Sequence, residues 1–226
     1  MIQRHYKKTK NIIDRRRYSL LLLSTILVLV LPAFTGTGLL SSIFYVITMS
    51  FLFIQSMIAA NIKKSRKRLI QYIVLVLIIL VWLQPMGIVS IYIDLVKVIA
   101  FVTFFVFVVV YLVRFIAGSE TVNYNVLITS VNIYLLLGII GAFMSFFFNT
   151  FYPDAYSFPA HIKDPIFVNF LYYSFITMST VGYGDITPKI PETQTLAYFI
   201  SVTGQLYVAI IIAFLVGKLL VSAEKK

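Results

Sequence analysis

The sequence predicts an all-α membrane protein with six transmembrane helices: a four-helix peripheral domain, then two helices that flank a re-entrant segment. Two observations support this fold class. Of the 226 residues, 60% are hydrophobic and only 12% are charged, whereas soluble domains average about 45–50% apolar and about 25% charged residues. The apolar residues also gather into long runs, and a helix that crosses a bilayer needs about 20 predominantly apolar residues.

Six apolar runs come close to this length or exceed it. The predicted helices cover residues 18–34, 39–60, 69–83, 91–116, 124–148 and 193–220. Turn-forming residues separate several of them, namely a Thr-Gly-Thr-Gly turn at residues 35–38, Pro85 and Gly87 after the third helix, and Gly118 after the fourth.

The distribution of charge orients the helices. The net charge of +11 comes largely from a basic amino terminus, residues 1–17, and a basic loop, residues 61–68. Both segments abut apolar runs, which is the positive-inside pattern of cytoplasmic flanks rather than a nucleic-acid site. Six alternating helices then place both termini in the cytoplasm, and we expect a multi-pass protein of the cell (plasma) membrane.

The same basic segments predict a contact with anionic membrane lipids, at about 1 kcal/mol per basic residue near the leaflet. Cysteine is absent, which excludes disulfides and cysteine metal sites. The two histidines, His5 and His161, are too far apart in the sequence to suggest a metal site.

The loop between the fifth and sixth helices, residues 149–192, contains an apolar run at residues 166–178. About thirteen residues are too few to span a bilayer and are typical of a re-entrant segment. Non-helical backbone is tolerated at membrane depth only where protein buries it or where it lines a watery cavity. The loop therefore predicts a short helix followed by an extended segment inside a pore.

That extended segment reads Thr180, Val181, Gly182, Tyr183, Gly184 and Asp185. For consecutive backbone carbonyls to point the same way, the backbone must alternate between right- and left-handed conformations, and glycine adopts the left-handed ones without steric cost. The six residues resemble the selectivity-filter signature of potassium channels. The resemblance implies that Thr180, Val181, Gly182 and Tyr183 bind K⁺, with the Thr180 hydroxyl completing the innermost site.

The resemblance also assigns supporting roles around this segment. Gly184 and Asp185 complete the filter, Tyr172 is expected to hydrogen-bond towards Asp185, and Tyr173 is expected to pack behind Tyr183. The alternative for the two tyrosines is an ordinary aromatic belt at the membrane interface.

The sixth helix resembles the inner, pore-lining helix of the same family. Gly204 lies where the resemblance implies a gating hinge, and the alternative is close helix packing, for which small residues are also suited. Gln205, Val208, Ile212 and Val216 follow at helical spacing. We expect Gln205 to line a central cavity, and Ile212 and Val216 to form an apolar constriction that gates by dewetting.

The fourth helix lacks the charges of a voltage sensor. Gating by voltage needs several charges in the field, each worth about 2.3 kcal/mol per 100 mV, and this helix carries only Lys97 and Arg114. We expect Lys97 to form a local ion pair with Asp94 rather than to act as a gating charge.

Together these features predict a potassium-selective channel subunit that is not an enzyme and is not strongly voltage-gated. One filter segment supplies a quarter of a pore, so we expect a homotetramer. The predicted regions are a cytoplasmic terminus (1–17), a four-helix domain (18–117) and a pore domain (118–226). We expect no cofactor, and no metal other than the permeant potassium ion. The rival hypotheses are a potassium uptake transporter subunit and a non-conducting regulatory or structural membrane protein.

Overall fold

The computed structural model describes residues 2–34, 39–62, 64–83, 85–86, 90–152, 154–160, 162 and 166–224. The described part contains α1 (Ile2–Phe34), α2 (Leu39–Ala59), α3 (Lys64–Trp82), α4 (Ile91–Ala117), α5 (Tyr124–Phe151), β1 (Tyr156–Ser157), α6 (Phe167–Met178), β2 (Thr187–Pro188) and α7 (Pro191–Glu224). The predicted turn at residues 35–38, Lys63 and Gly87 lie outside the described residues, as do the side chains of residues 2–15.

The described part of the chain is mostly helical, which agrees with an all-α membrane protein, while the six spans and the re-entrant segment stay predictions. Within the described residues, α2, α4, α5 and the Pro191–Leu220 part of α7 are long and apolar enough to cross a membrane. The predicted spans at residues 18–34 and 69–83 lie in α1 and α3. Both helices begin with a basic segment that shortens their apolar part, and their crossing of the membrane stays a prediction.

Helix α1 is longer than the sequence analysis predicted. The basic amino terminus was expected as a segment separate from the first span, but α1 is continuous from Ile2 to Phe34. No glycine or proline occurs before Pro32, and Arg, Lys and Leu are favourable helix formers. With nothing to interrupt the backbone hydrogen bonds, the basic and apolar parts form one helix.

Helix α5 lies at the centre of the fold and contacts α1, α4, α6 and α7. Asn132 on α5 donates a hydrogen bond to the Tyr18 carbonyl of α1 at 3.0 Å, and Tyr207 on α7 donates to the Ser130 carbonyl at 2.7 Å. Within the chain, 61% of the membrane window of α5 is buried, against 11% for α7. Helix α7 therefore lies at the edge of the subunit with most of its apolar surface uncovered.

Aromatic side chains fill the core between α2 and α4. The buried ring of Phe53 lies 5.0 Å from Phe101 and 5.3 Å from Phe105, measured between centroids, and such pairs contribute about 0.5–1.5 kcal/mol beyond their buried area. Nearby, Lys97 is only 8% exposed and its ammonium lies 3.0 Å from the Asp94 carboxylate. The predicted local ion pair is confirmed.

The two short strands are a feature that the sequence analysis did not predict. Strand β1 precedes α6 and strand β2 follows the 180–185 segment, and they pair antiparallel with Tyr156 opposite Pro188 and Ser157 opposite Thr187. Backbone amides that are buried need hydrogen-bond partners, and this pairing supplies them where the chain enters and leaves the outer loop. The loop is thereby closed around α6.

Candidate functional site

The site is organised by the short helix α6, which matches the predicted apolar run. Its amino end is capped because the Ile166 amide donates to the Asn169 side-chain oxygen at 2.9 Å, and the first amides of a helix otherwise lack partners. Phe170 is fully buried, with its ring 5.7 Å from Phe146 and 5.6 Å from Tyr156. The helix is thus held between α5 and β1.

Two glycines on α5 permit the close approach of α6. A Cβ atom on Gly138 would lie 2.4 Å from the Phe175 ring, and one on Gly141 would lie 2.5 Å from the Ser174 hydroxyl. Ser174 also donates a hydrogen bond to the Gly138 carbonyl at 2.7 Å. A larger residue at either glycine would therefore force the Phe175 ring or the Ser174 hydroxyl out of its present position.

The chain leaves α6 in a tight turn beneath the carboxyl end of the helix. The Ser179 amide donates to the Phe175 carbonyl at 2.9 Å, and the Gly182 amide donates to the Ile176 carbonyl at 3.1 Å. The carboxyl end of a helix carries roughly half a negative charge, and this charge favours nearby cations. The 180–185 segment is therefore attached to an end that attracts positive ions.

The backbone of the 180–185 segment adopts the left-handed conformation at every second residue. The φ angles are +61° at Thr180, +53° at Gly182 and +78° at Gly184. The two glycines confirm the prediction made from the sequence. Thr180 was not predicted in this conformation, which costs a residue with a Cβ atom about 1–2 kcal/mol.

Polar contacts join the inner end of the segment to α7. The Thr180 hydroxyl donates to the Ser179 carbonyl at 2.7 Å, and the Gln205 side-chain amide donates to the Thr180 hydroxyl at 3.4 Å. Gln205 was predicted to line a cavity, and the structure places it beside Thr180. The inner end of the segment therefore carries two polar side chains in contact.

At the outer end, the Tyr172 hydroxyl donates to Asp185 Oδ2 at 2.7 Å, as predicted. The Ile186 amide donates to Asp185 Oδ1 at 3.0 Å, so both carboxylate oxygens are engaged. The hydrogen bond to Asp185 also raises the pKa of the Tyr172 hydroxyl. Tyr173 packs against Tyr156, with ring centroids 5.2 Å apart. Its predicted contact with Tyr183 stays a prediction.

The chain beyond Asp185 is anchored to the loop that precedes α6. The Ala155 carbonyl accepts a hydrogen bond from the Lys189 amide at 2.9 Å and another from the Thr193 hydroxyl at 3.0 Å. With the β1–β2 pairing, these bonds fix both ends of the outer loop. The 180–185 segment is held between this anchor and the end of α6.

Gly204 on α7 lies directly against the last residue of α6. A Cβ atom there would be 2.2 Å from the Met178 carbonyl oxygen and 2.5 Å from Met178 Cγ. This contact supports close packing, the alternative explanation for a glycine at position 204. The hinge stays a prediction. Val208, Ile212 and Val216 are 40%, 55% and 49% exposed in the single chain. The pore-lining face that includes Val208, and the constriction at Ile212 and Val216, stay predictions.

Lys218 near the end of α7 makes a contact that the sequence analysis missed. Its ammonium donates to the carbonyl oxygens of Ile116 at 3.1 Å and Ala117 at 3.3 Å, and also to that of Ser119. It lies 4.3 Å above the Phe214 ring. A cation at the carboxyl end of α4 is favourable, so Lys218 ties α7 to the junction between α4 and α5.

The 180–185 segment is exposed in the single chain. Val181 is 53% exposed and Tyr183 is 72% exposed, although both are apolar or amphipathic side chains. Among the described residues there is no cluster of three or more His, Asp or Glu side chains arranged to hold a metal ion.

Comparisons with known proteins point to ion channels. Residues 126–220 match a family model described as an ion channel, and the match extends from α5 through α6 into α7. The chain is also 56% identical over 36 residues to potassium channel K1 of Plasmodium berghei. That similarity covers 16% of this chain and 2% of the relative, so the chain matches only a small part of its length. No solved structure matches the chain.

The matches indicate an ion channel domain in the carboxyl-terminal half. Together with the apolar helices, they indicate a membrane protein, and they point to ion transport rather than to enzymatic catalysis.

Proposed function

We propose that this chain, whose residues 126–220 match an ion channel domain, is a subunit of a potassium-selective channel. The observation that carries the proposal is the left-handed backbone at Thr180, Gly182 and Gly184. Alternation at every second residue turns successive carbonyls towards one side of the segment. A column of carbonyl oxygens of this kind can replace the water shell of a dehydrated potassium ion.

Ion binding in this proposal uses oxygens from four residues. The carbonyls of Thr180, Val181, Gly182 and Tyr183 form successive sites, and the Thr180 hydroxyl adds an oxygen at the inner end. The hydrogen bond from Gln205 orients that hydroxyl. Potassium passes as the permeant ion, and no cofactor takes part.

The pore in this proposal is completed by other copies of the chain. One segment surrounds only part of an ion, and the exposed side chains of Val181 and Tyr183 need cover from neighbouring subunits. Closed rings of identical subunits are the common solution, and four copies with cyclic symmetry give each ion a ring of four carbonyls. The largely uncovered surface of α7 supports this assembly, because the inner helices then line the pore and pack on each other.

The gate in this proposal lies on α7. Val208, Ile212 and Val216 are apolar and uncovered, and a ring of such residues stops ions by excluding water. The pairing of Lys97 with Asp94 leaves Arg114, in the last turn of α4, as the one basic side chain of this helix outside that pair. Open probability should therefore depend only weakly on voltage.

The orientation in this proposal follows from charge. The protein lies in the plasma membrane of the cell. The cytoplasm is on the side of the basic ends of α1 and α3 and of the end of α7, in accord with the positive-inside rule. The 180–185 segment then opens to the outside. The membrane lipids are the immediate surroundings of the subunit.

The test is reconstitution of the full chain in planar bilayers with potassium on one side and sodium on the other. The proposal expects unitary current steps with a reversal potential close to that of potassium. Equal permeation of sodium would show that the 180–185 segment does not select for potassium. Potassium uptake without unitary steps would support a transporter, and the absence of any flux would support a non-conducting protein.

A further inference from the structure

A second polar site lies far along the chain from the 180–185 segment, where the middle of α1, the end of α2 and the basic start of α3 meet. A cavity of about 390 Å³ opens there. Its lining comprises Arg16, Arg17, Leu20, Gln55, Met57, Ile58, Asn61, Ile62, Lys67 and Ile70. Three of these side chains are cationic, and none of the described lining residues is acidic.

Local backbone geometry brings the three cations together. Asn61 adopts a left-handed conformation with φ of +48°, a conformation that commonly ends a helix and reverses the chain. The turn directs α3 back along α2, so Lys67 on α3 lines the same cavity as Arg16 and Arg17 on α1. An anion in the cavity would face positive charge from two helices, Arg16 on α1 and Lys67 on α3.

The wall of the cavity contributes an unsatisfied polar group. Gln55 lines the cavity and is 7% exposed, and its side-chain oxygen has no hydrogen-bond partner. Buried polar groups in proteins are nearly always hydrogen-bonded. A polar occupant would provide the partner that the surrounding described residues do not provide.

The remaining wall is apolar and adjoins a helix that can cross the membrane. Leu20 on α1, Met57 and Ile58 on α2 and Ile70 on α3 line the cavity, and α2 is one of the membrane-spanning candidates. A free phosphate ion would leave this apolar wall without a contact. A phospholipid satisfies both parts, since its phosphate meets the cations and its acyl chains meet the apolar wall.

We propose that this cavity is a binding site for the headgroup of an anionic phospholipid, such as phosphatidylglycerol. Arg16 and Lys67 bind the phosphate, and a hydroxyl of the headgroup donates a hydrogen bond to the Gln55 side-chain oxygen. Basic pockets between helices at the cytoplasmic face are suited to such headgroups. The site does not depend on ion conduction, so it can be tested on protein that carries no current.

The experiment measures lipid adducts on the full chain in neutral detergent by native mass spectrometry. Short-chain phosphatidylglycerol is compared with phosphatidylcholine of the same chain length. Arg16→Gln and Lys67→Gln should each weaken phosphatidylglycerol binding about fivefold. Arg68→Gln is the matched control: it removes the same charge from the same exposed segment, but Arg68 does not line the cavity, and binding should be unchanged.

A variant that leaves the net charge unchanged distinguishes lipid binding in the cavity from general electrostatic attraction of the anionic lipid to the protein. Gln55→Leu should weaken phosphatidylglycerol binding although the net charge is constant. The retention volume of this variant in gel filtration reports whether the variant is folded. Equal losses in Arg68→Gln and Lys67→Gln would overturn the proposal. Equal binding of the two lipids would also overturn it, as would full competition by inorganic phosphate, which would identify a soluble-anion site.

Discussion

Replacing Gly204 by alanine separates the two roles that a glycine can have in α7. The added Cβ atom would lie 2.2 Å from the Met178 carbonyl oxygen and 3.0 Å from its carbon. That oxygen belongs to the backbone at the end of α6 and cannot rotate away. Such overpacking costs about 1–3 kcal/mol, and a contact this short belongs near the upper value.

Alanine also has a benefit in a helix interior, because it is favoured over glycine by about 1 kcal/mol. The net expectation for Gly204→Ala is a loss of about 2 kcal/mol per subunit. Gly217 in the same helix is the matched control, since a Cβ atom there meets nothing within 4 Å. Gly217→Ala should gain up to about 1 kcal/mol, so the two variants should shift stability in opposite directions.

The assay is thermal unfolding of both variants and the parent chain in the same detergent. At about 2–4 °C per kcal/mol for a chain of this size, Gly204→Ala should lower Tm by about 4–8 °C and Gly217→Ala should raise it slightly. If Gly204→Ala instead raises Tm as Gly217→Ala does, the close contact with Met178 is wrong. Gly204 would then be a hinge, which alanine merely stiffens.

Three further predictions follow from the contacts of the site. Gly182→Ala should abolish potassium selectivity in the bilayer recording. The space around Gly182 is open, but its φ of +53° costs an alanine about 1–2 kcal/mol. Normal selectivity in this variant would refute the assignment of the filter. Tyr172→Phe removes the hydrogen bond to Asp185, which is worth about 0.5–1.5 kcal/mol. This variant should lower steady potassium flux but retain its assembly, as measured by gel filtration. Unchanged flux would show that this bond does not hold the segment. Lys218→Met keeps the apolar part of the side chain but removes the hydrogen-bond donors to the end of α4, so amide hydrogen exchange at residues 118–119 should accelerate. Lys218→Arg, which keeps a donor, is the control. Equal exchange rates in both variants would contradict the contact.

The sequence predicted the parts of the site that depend on residue type. Gly182 and Gly184 are recognisable because few other residues tolerate a left-handed backbone, and the apolar run before them is recognisable by its length. Thr180 was missed although a strict two-residue alternation includes it. Threonine carries no signal for this conformation, so only the backbone pattern of its neighbours could have revealed it.

Other contacts could not be predicted because one partner is a backbone atom. Lys218 bonds to carbonyls of residues 116, 117 and 119, and every residue has a carbonyl, so no pair of side chains indicates the contact. Gly204 was ambiguous for a related reason: a hinge and a tight packing position both call for glycine. The contact with Met178 supplies the packing reason, and the Gly204→Ala measurement distinguishes it from a hinge.

The exposure of the 180–185 segment has a genetic consequence. In a lone subunit within the bilayer, the polar backbone of this segment would face hydrocarbon, where unsatisfied groups cost several kcal/mol each. Subunits should therefore assemble as soon as they are made, and a defective copy should be incorporated as readily as a normal one. For the proposed tetramer, cells that make equal amounts of normal and Gly182→Ala chains would form only about one assembly in sixteen with four normal subunits. Such a mutation would act dominantly.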